Sequence, residues 1–294
     1  VTEAQGEVYD IGFQRYNGPR QGRTRARRAL WADGIRTSLG VGRGWSSKIL
    51  PVLLFVALLI PALVFIVIAA IVSTFGLNEV GFAGQDDYYR LVLTPLMLLS
   101  AVIAPELLCS DRRSGVLNLY LVRPLTPTDY ILARWLAFLS IILLFVYLPQ
   151  LVLFIGFIVV AADPLAYFRE HWTDAPRFLA AGLAIALFSA TLPMAAAAFT
   201  TRRAYAAIFV IGLLFITGAA GGVLSEVIGG EPAAWLFLVN IGFVPIHINN
   251  IIFGDMSSSG PAGGLPQAAI LVWYLILIAG PGLILWRRYR KIGI

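Results

Sequence analysis

Apolar residues dominate this chain in long unbroken runs, not in the alternating or 3.6-residue patterns of a water-soluble fold. Five runs carry almost no charge, at 49–72, 91–109, 131–162, 178–200 and 205–224, and a sixth occupies 267–286. A helix crossing a bilayer needs about 20 mainly apolar residues, so each run predicts one transmembrane helix. The third is long for a single crossing, which predicts tilt or extension beyond the membrane. Pro149 inside it predicts a kink. The expected fold class is an all-α polytopic membrane protein with six transmembrane helices.

Residues 233–253 are long enough for a seventh crossing. Asn240, Pro245, His247, Asn249 and Asn250 interrupt them, and Gly229-Gly230-Glu231-Pro232 and Gly254-Asp255 flank them with turn chemistry. The placement of charge decides the number. With the N-terminus in the cytoplasm and six spans, the inside segments 1–48, 110–130, 201–204 and 287–294 hold 18 of the 22 Lys and Arg. Arg134, able to snorkel to the same side, makes 19. The outside segments hold only Arg90, Arg169 and Arg177, with nine acidic residues: Glu79, Asp86, Asp87, Asp163, Glu170, Asp174, Glu226, Glu231 and Asp255. That asymmetry follows the positive-inside rule, whereas a seventh span would move Arg287, Arg288, Arg290 and Lys291 outside. Both termini are therefore expected in the cytoplasm, with 233–253 a re-entrant or interfacial element on the outer face. The expected division is a cytoplasmic N-terminal segment, 1–48, followed by a six-span domain, 49–294.

Composition agrees. The chain is 59% hydrophobic and 13% charged, against roughly 25% charged in soluble domains. This excludes a water-soluble enzyme and a disordered chain, which needs low hydrophobicity. The net charge of +6 comes from arginines flanking the spans, where anionic headgroups attract them. The lipid bilayer, not nucleic acid, is the expected partner. No signal peptide is expected, because the polar 48 residues precede the first span. Cys109, the one cysteine, allows no internal disulfide.

Two inside segments carry further information. Over 24–39, Trp31, Ile35 and Leu39 recur at i, i+4 and i+8, with Arg25, Asp33 and Arg36 facing away. This predicts an amphipathic helix at the membrane surface, provided that Arg28 snorkels. The loop between spans two and three reads Glu106-Leu-Leu-Cys-Ser-Asp-Arg-Arg-Ser-Gly-Val-Leu-Asn-Leu-Tyr-Leu-Val-Arg-Pro-Leu-Thr-Pro-Thr-Asp129. After Gly115, apolar residues at 116, 117, 120 and 121 fit one face of a short helix that Pro124 stops. Thr126 can cap the next helix, with Pro127 at its first position and Asp129 at its third, a capping-box arrangement.

This loop resembles the membrane subunit of ABC transporters of the ABC type 2 exporter superfamily. Such permeases carry after the second span an acidic residue, a basic pair, a Ser, Thr or Gly turn, a short Leu-rich helix, Arg or Ser-Pro-Leu, and then an acidic and a basic residue opening the third span. Asp111-Arg112-Arg113-Ser114-Gly115, Leu117, Leu119-Tyr120-Leu121, Arg123-Pro124-Leu125, Asp129-Tyr130 and Arg134 follow that order. Six spans with both ends inside, an N-terminal surface helix and an outer re-entrant hairpin extend the similarity over nearly the whole chain.

The resemblance implies a permease that exports a hydrophobic or amphipathic, drug- or lipid-like substrate across the cytoplasmic membrane. Its coupling helix would dock on an ATPase subunit. No Gly-x4-Gly-Lys-Ser/Thr phosphate loop is present, so the ATPase would be a separate chain, in two copies, holding ATP and Mg. The permease itself would bind no cofactor and catalyse nothing. A second permease copy or a homologous permease would complete the transporter. The competing readings are an ion-gradient-driven transporter or channel and a non-transporting assembly subunit. The first predicts charges within the spans and inverted repeats; only Glu106 and Arg134 approach the former, both at span ends.

Glu106, with Pro95 and Pro105 in the second span, is a candidate for coupling or for the substrate pathway. Its bland alternative is pairing with Arg112 or Arg113. His171 and His247 have no second ligand at metal spacing, and no HExxH or Gly-x-Ser-x-Gly motif occurs. No metal site is expected.

Overall fold

The computed structural model describes residues 18, 22–42, 44–75, 84–121 and 125–291, and at 46, 47, 118, 119 and 121 the backbone alone. Among the described residues the chain is all-helical. Its helices are α1 (Gly22–Ser38), α2 (Ser46–Phe75), α3 (Gln85–Arg113), α4 (Val116–Leu121), α5 (Pro127–Val160), α6 (Pro164–His171), α7 (Asp174–Ala197), α8 (Arg203–Ile228), α9 (Gly230–Phe237), α10 (Val244–Phe253) and α11 (Gln267–Arg290), with a 3-10 segment, Met256–Gly264, between the last two.

Six of these, α2, α3, α5, α7, α8 and α11, are long and apolar enough to cross a membrane. Each covers one of the six apolar runs to within three residues. The stretch 233–253 breaks after α9, and α9 and α10 have 8 and 10 residues. At 1.5 Å per residue they reach about 12 and 15 Å, against a hydrocarbon thickness of about 30 Å. α3 runs unbroken through Pro95 and Pro105, and α5 through Pro149.

The core lies where α3, α5 and α7 meet. α7 buries a small-residue face, including Ala181, Gly182, Ala186 and Ala190, which lets neighbouring backbones approach closely without help from water exclusion. Tyr and Trp side chains then supply polar ties between spans. Tyr89 donates to Phe178 O at 2.8 Å, Tyr274 to Ala184 O at 2.8 Å, and Trp135 Nε1 to Thr191 Oγ1 at 3.1 Å. α2, α8 and α11 are peripheral and turn apolar side chains such as Val56, Phe209 and Leu275 outward. In hydrocarbon that exposure carries no penalty.

The bundle has two chemically different ends. One gathers α1, α4, the start of α5 and the arginines of α11. The other gathers the start of α3, the α6 segment and the α9–α10 hairpin. α1 lies along the first turns of α5. Its buried line is Leu30, Gly34 and Ser38, one residue displaced from the expected Trp31, Ile35 and Leu39. Ile35 and Leu39 are half-buried at its edge, while Trp31 and Arg28 are exposed. The displacement has a steric cause, because at Gly34 the two helices nearly touch: a Cβ there would lie 2.6 Å from the Cβ of Ala137.

Candidate functional site

The basic end is organised around the turn joining α3 to α5. α3 stops at Arg113, where Ser114 Oγ donates back to Ser110 O at 2.9 Å and Gly115 takes a φ of +70°. Glycine adopts that left-handed conformation without a Cβ penalty, which ends a helix sharply. α4 follows at once, with Leu117 buried and Tyr120 half-buried. Arg123 and Pro124 lie outside the described residues, and Leu125 is buried beyond them.

The predicted cap is present. Thr126 Oγ1 accepts from Asp129 N at 3.3 Å, and Asp129 Oδ2 accepts from Thr126 N at 3.0 Å, satisfying two amides that the helix itself leaves unpaired. Asp129 also receives two guanidinium groups from α1, Arg23 and Arg27, each at 2.6 Å. The cap of the third span is thus also the anchor of α1.

One turn deeper lies the centre of the arrangement. Arg134 is only 2% exposed. Its Nε and Nη2 donate to Asp111 Oδ2 at 3.1 and 2.7 Å, and its Nη1 donates to Asp33 at 2.9 Å. The Tyr130 hydroxyl donates to the same Asp111 oxygen at 2.7 Å. The Tyr130 ring stacks on Tyr289 of α11, with centroids 5.6 Å apart, and meets Tyr120 of α4 at 5.9 Å. Helices α1, α3 and α5 therefore meet at one buried cation, and α4 and α11 reach it through the Tyr130 ring. A buried charge is costly unless it is paired and hydrogen-bonded, and here each guanidinium nitrogen donates to a carboxylate.

Arg134, expected to snorkel to the side of the inside segments, is buried against a carboxylate from each of two of them, Asp33 and Asp111. Asp33, expected to face away, is one of its partners. The pairing expected for Glu106 is corrected. Glu106 joins Arg203 of α8 at 2.9 Å. Arg112 turns to the end of α7, donating to Ala198 O at 2.6 Å and Thr200 O at 3.3 Å. The unpaired carbonyls at a helix C-terminus attract a cation, and that attraction outcompetes the more distant carboxylate. Arg113 is exposed. Sequence reading did not single out Arg23, Arg27 or Tyr289. The one signal available was the presence of Arg134 within an apolar run, since a charge there demands a partner.

A second polar cluster occupies the other end. Asn249 Nδ2 donates to Asp86 O at 3.3 Å, Arg90 donates to Asn250 Oδ1 at 3.4 Å, and Asn250 Nδ2 donates to Ser259 Oγ at 2.9 Å. These bonds fasten the α9–α10 hairpin to the start of α3. Beside them, α3, α8 and the α9–α10 hairpin line a half-open apolar pocket of about 310 Å³ whose walls include Leu93, Met97, Leu214 and Phe215, together with Arg90 and Asn240. Pro95 and Pro105 are not on its lining. His247 is fully buried against Phe237 and Phe243, and burial pushes its pKa down to about 4. No group of three or more His, Cys, Asp or Glu side chains converges on a metal-sized space among the described residues.

No protein-family model and no curated protein sequence matches this chain.

Proposed function

We propose that this chain is the membrane-embedded permease subunit of an ATP-driven exporter of the ABC type 2 class, acting with a separate ATPase chain. One observation carries the reading. The short helix α4 follows the second span directly, and its Tyr120 ring meets Tyr130, whose hydroxyl shares Asp111 with Arg134. A push on α4 from a partner would reach α1, α3, α5 and α11 through buried, well-satisfied contacts. Interiors of this kind transmit displacement because they are close-packed.

In this reading both termini and α4 face the cytoplasm, α1 lies at the membrane surface, and the α9–α10 hairpin dips in from the outer face. ATP and Mg stay on the ATPase. Its closure drives α4, the spans rearrange, and a hydrophobic or amphipathic passenger crosses the cytoplasmic membrane. A second permease copy completes the pathway.

The test is association. Co-expressed with its ATPase, the tagged chain should retain that ATPase through purification. Replacing 116–121 with a Gly-Ser linker, together with Arg113→Glu, should abolish retention while the six-span bundle still elutes as a monodisperse species. Retention undiminished by both changes overturns the docking role. Arg112 is unsuitable for this test, because it holds the end of α7.

A further inference from the structure

Among the described residues, α1 carries more positive charge than its surroundings neutralise. α1 has five arginines, one aspartate and no acid in its first turn, so the positive end of the helix dipole adds to the excess. Asp129 is taken by Arg23 and Arg27, and Asp33 by Arg134. Arg25, Arg28 and Arg36 have no hydrogen-bond or ion-pair partner among the described residues.

Arg28 sits over an apolar wall. Arg28 and Trp31 of α1, with Leu132, Ala133 and Leu136 of α5, border a groove of about 410 Å³, whose floor also holds the paired Arg27 and Asp129. An adjoining hollow brings Arg25, Arg28 and Arg36 round the same tryptophan. Trp31 leans on α5, its Nε1 donating to Ser140 Oγ at 3.3 Å, and stays 40% exposed. Leu132 and Leu136 are 49% and 46% exposed, on the first turns of a helix long enough to cross a bilayer.

We propose that this groove and the hollow beside it bind one anionic phospholipid. The acidic head group would lie on Arg25, Arg28 and Arg36, the indole would sit at the interface, and an acyl chain would run along Leu132 and Leu136. Each part has its own physical reason: juxtamembrane arginines attract acidic head groups, Trp settles at the membrane–water boundary, and exposed leucine on a spanning helix is at home in hydrocarbon. An acidic protein would match the arginines but would leave the leucines bare. A zwitterionic lipid would match the leucines but bring no net charge. The proposal does not depend on an ATPase partner.

The experiment is native mass spectrometry of the purified full chain in neutral detergent, with short-chain phosphatidylglycerol, phosphatidylcholine of the same chain length, and glycerol phosphate alone. The wild-type chain should retain phosphatidylglycerol about tenfold or more over phosphatidylcholine and should not retain glycerol phosphate. Arg25→Gln/Arg28→Gln/Arg36→Gln should bring the two lipids to parity. Arg28→Gln alone, which touches both hollows, should cut the preference about fivefold. Arg287→Gln/Arg288→Gln/Arg290→Gln, at the same end but away from the groove, should leave the preference in place. Three outcomes overturn the proposal: equal retention of both lipids, which would leave the groove to a protein; glycerol phosphate held as well as the lipid; or the same loss from the α11 triple variant as from the α1 variant.

Discussion

Arg134 and Asp111, 23 residues apart, are joined by two hydrogen bonds onto a single carboxylate oxygen, from Nε at 3.1 Å and from Nη2 at 2.7 Å. The third donor of the same guanidinium goes to Asp33 at 2.9 Å. The two acids are not equivalent: Asp111 is 15% exposed and Asp33 54%. The buried pair should therefore carry the stability and the exposed pair the alignment of α1.

Arg134→Gln should cost about 3–5 kcal/mol, because it strands Asp111 in a low-dielectric site. Asp33→Asn should cost no more than about 1 kcal/mol, since solvent screens that pair. Arg134→Lys keeps the charge but loses the planar fork and should fall between them. Apparent thermal midpoints in detergent give the order. Equal losses from Arg134→Gln and Asp33→Asn would mean that the network is peripheral to the fold.

A second prediction concerns the contact between α1 and α5. Gly34→Ala would set a methyl 2.6 Å from Ala137 Cβ and 3.4 Å from Arg134 Nη1. Neither Cβ can rotate away, so α1 must lift, at about 1–3 kcal/mol. Ala137→Gly carries its own cost of about 1 kcal/mol as a helix glycine, but the double variant should lose clearly less than the sum of the singles. Limited proteolysis near α1 provides a second readout, accelerated in Gly34→Ala and slowed again in the double variant. Strict additivity would disprove the contact.

The same contact shows which parts of this protein were legible in its sequence. The spans were, because 20-residue apolar runs have few alternatives, and so was the Thr126–Asp129 cap, whose two members lie three residues apart. The seam of α1 on α5 was not legible. Its seam uses Gly34 and Ser38, which look polar in a pattern but serve by being small. The Arg134 network was hidden for a different reason. Its two acids lie 101 and 23 residues away, and one chain gives no signal at such separations. Glu106 failed similarly: the nearest arginines in sequence were tempting, but Arg203 of α8 was nearer in space.

Glu106 and Arg203 form the third test. Their side chains are 25% and 51% exposed, so Glu106→Gln should cost no more than about 1 kcal/mol, far less than Arg134→Gln. Glu106→Arg should cost more, by repulsion against Arg203, and Glu106→Arg/Arg203→Glu should recover most of it. A swap that recovers nothing would show that the carboxylate at 106 is required in its own right.

The fourth prediction is a pH dependence set by His247, which α10 buries completely. Among the described residues both ring nitrogens lack a partner, so desolvation favours the neutral ring and lowers its pKa to about 4, against about 6.5 in an unfolded chain. Above pH 6.5 neither state is protonated, and the histidine imposes no pH dependence. As pH falls from about 6.5 to about 4 the unfolded chain takes up a proton that the folded chain refuses, and stability is lost over that window. The full effect is on the order of 3 kcal/mol at most. His247→Phe keeps an aromatic ring between Phe237 and Phe243 without a titrating group, and should flatten the pH profile of the apparent midpoint between 6.5 and 4. A profile with the same slope in the variant would assign the titration to another group.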